Sequence, residues 1–324
     1  MNHAIRIHRP GGPEAMVWEA VPVGPPGPGE VQLRQTAIGV NYIDVYYRTG
    51  LYPVDLPAVM GRSGLGVVEE VGEGVDNVVP GERVVYAASP TGSYTERRNM
   101  PANVLVGVPA AIGDETAAAM FLQGMTAQYL LRRTYKVGSG ETILVHAAAG
   151  GVGLIMCQWA KHLGATVIGT VGSDEKAEFA RAHGCDHPIV YTRENFADRV
   201  REITDGKGVP VVYDSVGKDT FLESLDCVQR LGLMVSYGNA SGPVPPMDLS
   251  LLAEKGSIFI TRPRLYAYIA ERAELLAGAA ELFDMVERGV VAIRIARRMP
   301  LADAAEAHRV LESRTVTGSL VMIP

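Results

Sequence analysis

The chain has 324 residues, 47% of them hydrophobic and 20% charged, with a formal net charge of -6 and a pI near 5.7. This composition argues against a disordered or fibrous chain, and the acidic balance argues against nucleic acid as the main partner, because phosphate binding favours a basic surface. The length favours two domains, and we expect neither a membrane span nor a secretory signal.

The first part of the chain, residues 1–120, has the pattern of a small β-rich domain. Short runs of apolar and β-branched residues alternate with closely spaced glycines and prolines, which is typical of strands joined by turns. After a first strand near the N-terminus, strands are expected at 29–40, 64–75, 80–88 and 92–100. This pattern predicts a barrel.

From about residue 114 the pattern changes to alternating helices and strands. Asp114 is the expected N-cap of a helix over 114–135. Strands are then predicted at 141–147, 165–171, 187–192, 209–217, 233–242, 256–263 and 318–324, and helices at 151–164, 174–184, 193–204, 219–232, 270–289 and 301–314. Apolar strands that alternate with helices predict a parallel, doubly wound sheet with both faces covered.

The strongest local signal is the glycine-rich turn "AAAGGVG" between an apolar strand and a helix. Glycine lets the backbone approach a pyrophosphate, and the N–H groups at the helix start favour negative charge. The turn therefore predicts dinucleotide binding, against the simpler alternative of a tight turn without a ligand. The residues concerned are Ala147, Gly150, Gly151, Val152 and Gly153.

The end of the second strand of this sheet indicates which dinucleotide is bound. An acidic residue there would bind the ribose hydroxyls and repel a 2′-phosphate. This chain has Gly172 and Ser173 at that point and Lys176 one turn into the next helix, with Asp174 as a cap or first-turn acid. A hydroxyl, a helix N-terminus and a lysine favour a phosphate, so NADPH is the expected cofactor.

Cysteine and histidine spacing gives no sign of a metal site or a nucleophile. The three cysteines, Cys157, Cys185 and Cys227, form no CxxC pair, which fits a reducing cytoplasm. His183 and His187 flank Cys185, but Gly184 should end one helix, so a turn is expected there in place of a metal site. Hydride transfer needs no nucleophile, because the cofactor carries the chemistry.

Thirteen residues from Asn41 to Pro53, "NYIDVYYRTGLYP", hold four of the 13 tyrosines of the chain. Periodicity alone does not decide whether this segment is a core strand, a surface turn or the floor of a binding site.

Several motifs, spread nearly from end to end, occur together in one known family. They are "GVNYIDVYYRTGLYP", "GVVEEVGEGV", "QGMTAQYLL", "HAAAGGVGLIMCQWAKHLGA", "YDSVG", "SYGNASGP" and "ESRTVTGSLVMIP". In these motifs the chain resembles the medium-chain dehydrogenase/reductase superfamily. Within that superfamily it resembles the zinc-free, zeta-crystallin-like NADPH:quinone oxidoreductases. The resemblance implies an α/β protein with a GroES-like catalytic domain at 1–120, a Rossmann domain at 121–263, and a segment at 264–324 that returns to the catalytic domain.

The zinc-dependent members of the superfamily differ at three places. They have a cysteine close to the position of Asn41, a histidine within the motif that here is "GRS" (Gly61 to Ser63), and a four-cysteine lobe that this chain lacks. Because zinc sites need thiolate or imidazole ligands, the resemblance implies a reductase without a Lewis-acid metal. Such an enzyme should favour electron-poor acceptors.

The resemblance also implies roles for individual residues. The side chains expected at the acceptor and nicotinamide end are Asn41, Asp44, Tyr46, Arg48 and Tyr52. Those expected to contact the cofactor, besides the glycine turn, are Thr126, Tyr129, Gly172, Ser173, Lys176, Tyr191, Ser215, Tyr237, Asn239 and Arg314. The other two tyrosines of the segment, Tyr42 and Tyr47, are expected to pack into the domain as a separate pair.

One departure from the family pattern changes the charge of the expected pocket. Ser63 stands where related quinone reductases often have an acid, and basic Arg62 lies beside it. Arg62 is expected either to act as the partner of Asp44 or to point to solvent.

The expected activity is direct hydride transfer from NADPH to a quinone, with reduction of α,β-unsaturated carbonyls as the alternative. RNA binding, known for zeta-crystallin-like proteins, is not expected, because the chain is acidic and has no basic aromatic patch. The β-branched strand near residue 260 is expected to pair with its copy in a homodimer.

Overall fold

In the computed structural model of the protein, the structure is described for residues 1–87 and 90–324. The chain forms two compact units. Unit 1 comprises Met1–Met125, Ile269–Glu287 and Ile293–Pro324, and unit 2 comprises Thr126–Tyr268 and Arg288–Ala292. The first crossing between the units thus falls at residues 125 and 126.

The strands follow one another in this order along the chain. They are β1 His3–Ile7, β2 Met16–Ala20, β3 Glu30–Val40, β4 Ala58–Val59, β5 Ser63–Val71, β6 Arg83–Ala87, β7 Arg97–Pro101, β8 Val106–Gly107, β9 Thr142–Val145, β10 Thr166–Val171, β11 His187–Val190, β12 Val209–Asp214, β13 Val228–Ser236, β14 Phe259–Thr261, β15 Ile295–Pro300 and β16 Ser319–Ile323.

The α-helices lie between them, and one π-helical turn, Leu130–Thr134, extends the second helix. They are α1 Tyr42–Arg48, α2 Asp114–Tyr129, α3 Gly151–His162, α4 Asp174–Ala182, α5 Phe196–Ile203, α6 Phe221–Ser224, α7 Ser250–Glu254, α8 Leu265–Tyr268, α9 Arg272–Glu287 and α10 Ala304–Glu312.

Unit 2 is built on a parallel sheet in the strand order β11-β10-β9-β12-β13-β14. Its strands are nearly continuous apolar runs, because helices cover both faces of such a sheet. Buried residues such as Leu144, Ile168 and Val212 from the strands pack with Phe196 and Leu225. The predicted parallel, doubly wound α/β sheet is confirmed.

Unit 1 is mainly antiparallel. Within the described residues it has a three-stranded sheet, β2-β1-β4, and a larger sheet in the order β15-β16-β3-β5-β6-β8, with β7 also paired to β3. Strand β3 changes register against β5 between Gln32 and Leu33 and again between Gln35 and Ala37. Such bulges bend and twist a long strand, and β3 pairs with β5, β7 and β16 along its length.

Two sequence-based expectations were wrong at the level of elements. The helix predicted over 219–232 ends early, because Val228 onward joins strand β13, where Val228 pairs with Val209. Asp114 is the first residue of α2 rather than its N-cap, and its carboxylate accepts a hydrogen bond from Arg83 Nε at 2.8 Å. Helix α1 had no predicted counterpart. The last residue of the strand predicted over 80–88, Ala88, lies outside the described residues.

In the part of the chain that the structure describes, every helix is too short or too polar to cross a membrane.

Candidate active site

The tyrosine-rich segment begins as helix α1. The backbone N–H of Asn41, just before the helix, donates to Asp44 Oδ2 at 2.9 Å. An acid three residues after a capping residue satisfies a donor that the helix leaves open at its start. The sequence pair Asn41 and Asp44 therefore fixes where the helix begins, a signal that the sequence analysis did not use.

The side chain of Asn41 is held in a buried polar network that we call the Asn41 network. Its Nδ2 donates to Ser63 Oγ at 2.9 Å, and its Oδ1 accepts from Gln123 Nε2 at 3.3 Å. Gln123 Oε1 in turn accepts from Ser319 Oγ at 2.7 Å. All four side chains are buried, so the amide of Asn41 has a fixed orientation. Gln123 and Ser319 were not predicted as site residues.

Among residues 1–87 and 90–324, no group of three or more histidine, cysteine or acidic side chains is arranged to hold a metal ion. At the position of Asn41 the structure has amide and hydroxyl groups, which differ from the thiolate and imidazole ligands that zinc prefers.

Asp44 is completely buried, and its two carboxylate oxygens have different surroundings. Oδ2 accepts from Asn41 N and from the hydroxyl of Tyr94 at 3.0 Å. Oδ1 is buried without a hydrogen-bond partner. Burial raises the pKa of Asp44 to about 7, although the hydrogen bonds from Asn41 and Tyr94 and the charge of Arg62 act against the rise.

A one-way chain of donors leads to Asp44, and we call it the Asp44 network. Arg48 Nη1 lies 3.0 Å from His308 Nδ1, and His308 Nε2 lies 3.0 Å from the Tyr94 hydroxyl. A guanidinium can only donate, so Nδ1 accepts, and the proton of the neutral ring is on Nε2, directed to Tyr94. Burial, aided by the charge of Arg48, lowers the pKa of His308 to about 3.

Arg48 does not lie where an acceptor-binding residue was expected. Its side chain is 1% exposed. Its Nε donates to the carbonyl of Gly11 at 3.1 Å, and its two terminal nitrogens donate to Glu312 at 2.9 Å each. We therefore correct the predicted catalytic role of Arg48: it links α1 to α10 and supports the Asp44 network from the interior.

The four tyrosine rings form one series of contacts instead of two separate pairs. Tyr46 lies edge-on to Tyr52 at 5.3 Å between ring centroids, and Tyr52 also contacts Tyr47 at 5.7 Å. Tyr46 contacts Tyr42 at 6.4 Å, as expected for residues four apart on a helix. Tyr46 is 9% exposed, and so most of its surface packs inside the domain.

Arg62 does not point to solvent, so that alternative was wrong. Its side chain is 5% exposed, and its guanidinium carbon lies 4.8 Å from the centroid of the Tyr47 ring. Its Nη1 donates to Thr91 Oγ1 at 2.7 Å. Burial lowers the pKa of Arg62, and Asp44 acts in the opposite direction.

In unit 2 the glycine-rich turn joins β9 to α3. Ala147 has a φ of +54°, which is uncommon for a residue with a Cβ. A Cβ added at Gly153 would lie 2.3 Å from the carbonyl oxygen of Ala147, and so strand and helix meet too closely for a side chain. Gly150 immediately precedes α3, and the backbone N–H groups of Gly151, Val152 and Gly153 open its first turn.

The side chains expected near a 2′-phosphate follow strands β10 and β11. Ser173 Oγ caps helix α4 by accepting from the backbone N–H of Lys176 at 3.4 Å. The Tyr191 side chain is 46% exposed, and its hydroxyl would lie 3.1 Å from a Cβ built at Gly172. Asp174, in the first turn of α4, is paired with Arg193, which reduces its repulsion of an anion.

The remaining predicted cofactor residues lie at several places. Tyr129 is buried at the end of α2 and stacks on Tyr268 at 4.3 Å, and burial raises its pKa.

Ser215 follows β12, and a Cβ at Gly238 would lie 2.3 Å from its carbonyl oxygen. Thr126 is buried in α2, Tyr237 and Asn239 follow β13, and Arg314 is exposed after α10 with a φ of +55°.

Comparison with known proteins agrees with this architecture. Residues 27–139 match the alcohol dehydrogenase GroES-like domain, and residues 151–280 match the zinc-binding dehydrogenase domain. The chain is 53% identical to a quinone oxidoreductase of Pseudomonas aeruginosa and 50% identical to a 2-haloacrylate reductase of a Burkholderia species, in both cases over 99–100% of each chain. The crystal structure of Escherichia coli quinone oxidoreductase complexed with NADPH superimposes with a TM-score of 0.98 at 48% identity, over 99% of this chain and 100% of the other.

Proposed function

The chain belongs to the quinone oxidoreductase family of the medium-chain dehydrogenase/reductase superfamily, and we propose that it reduces quinones by direct hydride transfer from NADPH, without zinc or flavin. The observation that carries the proposal is the turn at Gly150–Gly153, where the backbone of Ala147 and Ala148, just after β9, approaches α3 so closely that Gly153 has no room for a Cβ.

Unit 2 supplies the residues that would hold the cofactor. The N-terminus of α3 would present N–H groups and partial positive charge to the pyrophosphate. The hydroxyls of Ser173 and Tyr191 and the ammonium of Lys176 would bind the 2′-phosphate. When bound, NADPH supplies the hydride.

Unit 1 supplies the residues that would hold the acceptor. The Asn41 network fixes an amide that can orient a carbonyl oxygen, and Tyr46 and Tyr52 offer flat apolar surface to an aromatic ring. Asp44 holds the start of α1 and with it the position of Asn41. The proton that completes reduction comes from water or a tyrosine hydroxyl.

The same proposal includes a homodimer formed through the edge of the unit 2 sheet. Strand β14 lies at the end of the strand order, and Phe259 on it is 61% exposed. An edge strand with an exposed apolar side chain favours pairing with a second copy. We also propose a cytoplasmic location, which the three free, buried cysteines support.

The activity is tested by following the loss of NADPH absorbance with 1,4-benzoquinone or a naphthoquinone as acceptor. We expect turnover with quinones and slower turnover with NADH in place of NADPH. Absence of turnover with every quinone tested would contradict the proposal.

Replacement of Lys176 tests the 2′-phosphate site. Loss of a charge-assisted hydrogen bond of about 1.5–3 kcal/mol should raise the KM for NADPH by about tenfold or more in Lys176→Ala, while the KM for NADH changes little. Lys161→Ala is the matched control, because the Lys161 ammonium binds Asp186 and Lys161 is not among the residues expected to contact the cofactor. An equal rise in KM for both cofactors would argue against a contact between Lys176 and the phosphate.

A second candidate activity is the reduction of α,β-unsaturated carbonyl compounds. The 50% identity to a 2-haloacrylate reductase over the whole chain favours it. Both activities require the same step, transfer of a hydride to an electron-poor carbon. Parallel assays with quinones and enones measure the preference.

A further inference from the structure

Unit 1 contains two buried arginines, Arg62 immediately before β5 and Arg98 on β7. Their side chains are 5% and 7% exposed. A buried guanidinium is costly unless its charge is balanced and its donors are satisfied. The surroundings of both therefore need a physical explanation.

Arg98 is only partly satisfied by the protein. Its Nη2 donates to the carbonyls of Pro90 and Thr91 at 3.1 Å each, and its guanidinium carbon lies 5.2 Å from the Tyr86 ring centroid. Its Nε and Nη1 are buried without a hydrogen-bond partner. No carboxylate pairs with Arg98 within residues 1–87 and 90–324.

The two arginines belong to one cluster, because both bind Thr91: Arg62 through the hydroxyl and Arg98 through the carbonyl. The positive charge of Arg98 lowers the pKa of Arg62, which shows that the two charges repel each other. The carboxylate whose charge acts on Arg62 is Asp44, whose pKa near 7 leaves it partly neutral at neutral pH. The two guanidiniums thus lie close enough to repel each other, and Arg98 has no carboxylate partner among the described residues.

We propose that Arg62 and Arg98 bind the carboxylate of an anionic acceptor, so that the chain reduces unsaturated acids in preference to their neutral esters. This role rests on the reductase activity proposed for the chain. A carboxylate is planar and has two acceptor oxygens, which match the two unpaired donors of Arg98, Nε and Nη1. Its negative charge would also offset the repulsion between the two guanidiniums.

Ring contacts connect Arg62 to Tyr46 and Tyr52, the side chains expected to contact the acceptor. Arg62 stacks on Tyr47, and Tyr47 contacts Tyr52, which contacts Tyr46. An acceptor held against Tyr46 and Tyr52 could therefore direct its carboxylate toward Arg62. This continuity favours a carboxylate that is part of the acceptor over a free anion.

The two guanidiniums also suit the chemistry of an unsaturated acid. NADPH would supply the hydride and be oxidised to NADP⁺. The hydride bonds to the β-carbon, the π pair of the C=C bond moves to the α-carbon and the carboxylate, and a proton from solvent then bonds to the α-carbon. Negative charge on the carboxylate rises during hydride addition, so nearby cations stabilise the transition state more than the ground state.

The test compares 2-chloroacrylate with its methyl ester. We expect kcat/KM to be higher for the acid, and the acid-to-ester ratio to fall about 100-fold in Arg98→Met, as expected for loss of charge-assisted hydrogen bonds. Arg98→Lys keeps the charge but not the paired N–H groups, and its ratio should fall less. Arg97→Met is the control, because Arg97 neighbours Arg98 but pairs with Glu69 at the surface, and its ratio should not change.

Two further measurements separate the alternatives. If 1,4-benzoquinone is reduced but the wild-type enzyme does not prefer the acid, or the ratio is unchanged in both Arg98 variants, the carboxylate site is wrong and the quinone reductase activity stands. If no acceptor is reduced, thermal stabilisation by 2-chloroacrylate still tests the carboxylate site. Stabilisation of the wild type that is lost in Arg98→Met supports the site. No stabilisation of the wild type overturns it. Equal stabilisation by acetate without preference for the acid substrate would show a free-anion site and overturn the role in acceptor binding.

Discussion

Adding a single methyl group at Gly153 (Gly153→Ala) is expected to lower the free energy of unfolding by about 3 kcal/mol and to raise the KM for NADPH about tenfold or more. The new Cβ would lie 2.3 Å from the Ala147 carbonyl oxygen and 2.9 Å from the Ala148 Cα. Both are backbone atoms, so no side-chain rotation can relieve the clash, and the turn at Ala147 and Ala148 must move away from α3.

The surrounding backbone makes that movement costly. Ala147 is already held at a φ of +54°, and Ala148 N donates to the carbonyl of Thr170 in the neighbouring strand at 3.0 Å. A displacement of the turn would therefore disturb the hydrogen bonds of β10 as well as the N–H groups offered to the pyrophosphate.

Gly150→Ala is the matched control for Gly153→Ala. Its Cβ would lie 3.2 Å from the same Ala147 oxygen, a contact that a shift of a few tenths of an ångström relieves, and so we expect a much smaller loss of stability. Urea unfolding can be followed by the fluorescence of Trp159, which is 1% exposed in α3 and so reports on this unit. If the two variants lose equal stability and equal affinity for NADPH, the close approach at Gly153 is not what the turn requires.

The sequence predicts unit 2 well because its signals are local. Each apolar strand followed by an amphipathic helix is complete within about 25–30 residues, and the glycine turn lies inside one such segment. Where the prediction failed, long-range pairing decided the structure. The helix predicted over 219–232 stops because Val228 pairs with Val209 in the sheet, and this register is invisible in the local pattern.

The candidate site of unit 1 is predicted much less well from the sequence. Arg48 and His308 are 260 positions apart, and Tyr94 and Asp44 are 50 apart, so the Asp44 network exists only in the folded chain. Motif resemblance placed Arg48 beside an acceptor, but the fold buries it between Gly11, His308 and Glu312. In contrast, the Asn41 and Asp44 spacing is a local capping signal that could have predicted α1.

The Asp44 network leads to a second prediction. Replacing Asp44 and replacing His308 should change the pH dependence of the free energy of unfolding in opposite directions. In the folded protein Asp44 keeps its proton up to about pH 7, whereas its ordinary pKa is 3.8. Its contribution to stability is therefore complete below about pH 4 and is lost as the pH rises through 7. His308 has a pKa of about 3 when folded and an ordinary value of 6.5, so its contribution is complete above 6.5 and is lost as the pH falls through 3.

In the wild-type protein the two contributions cancel between pH 3.8 and 6.5. Folding adds one proton at Asp44 and removes one at His308, so the pair adds no slope to stability against pH. Replacing either residue by a neutral, similar side chain leaves the slope of the other. Each pKa unit corresponds to about 1.36 kcal/mol.

The measurement is urea unfolding of wild type, Asp44→Asn and His308→Gln at about pH 6.5 and about pH 4.5. Relative to wild type, Asp44→Asn should lose about 3 kcal/mol of stability as the pH falls over this range, and His308→Gln should gain about 3 kcal/mol. Constant losses of stability at both pH values are expected in addition, since each variant disturbs the hydrogen bonds to Tyr94, but they cancel when the two pH values are compared. Absence of a shift in Asp44→Asn would show that Asp44 is ionised in the folded protein, and absence of a shift in His308→Gln would show that His308 is charged there. Either result would contradict the order of protons that the hydrogen bonds require.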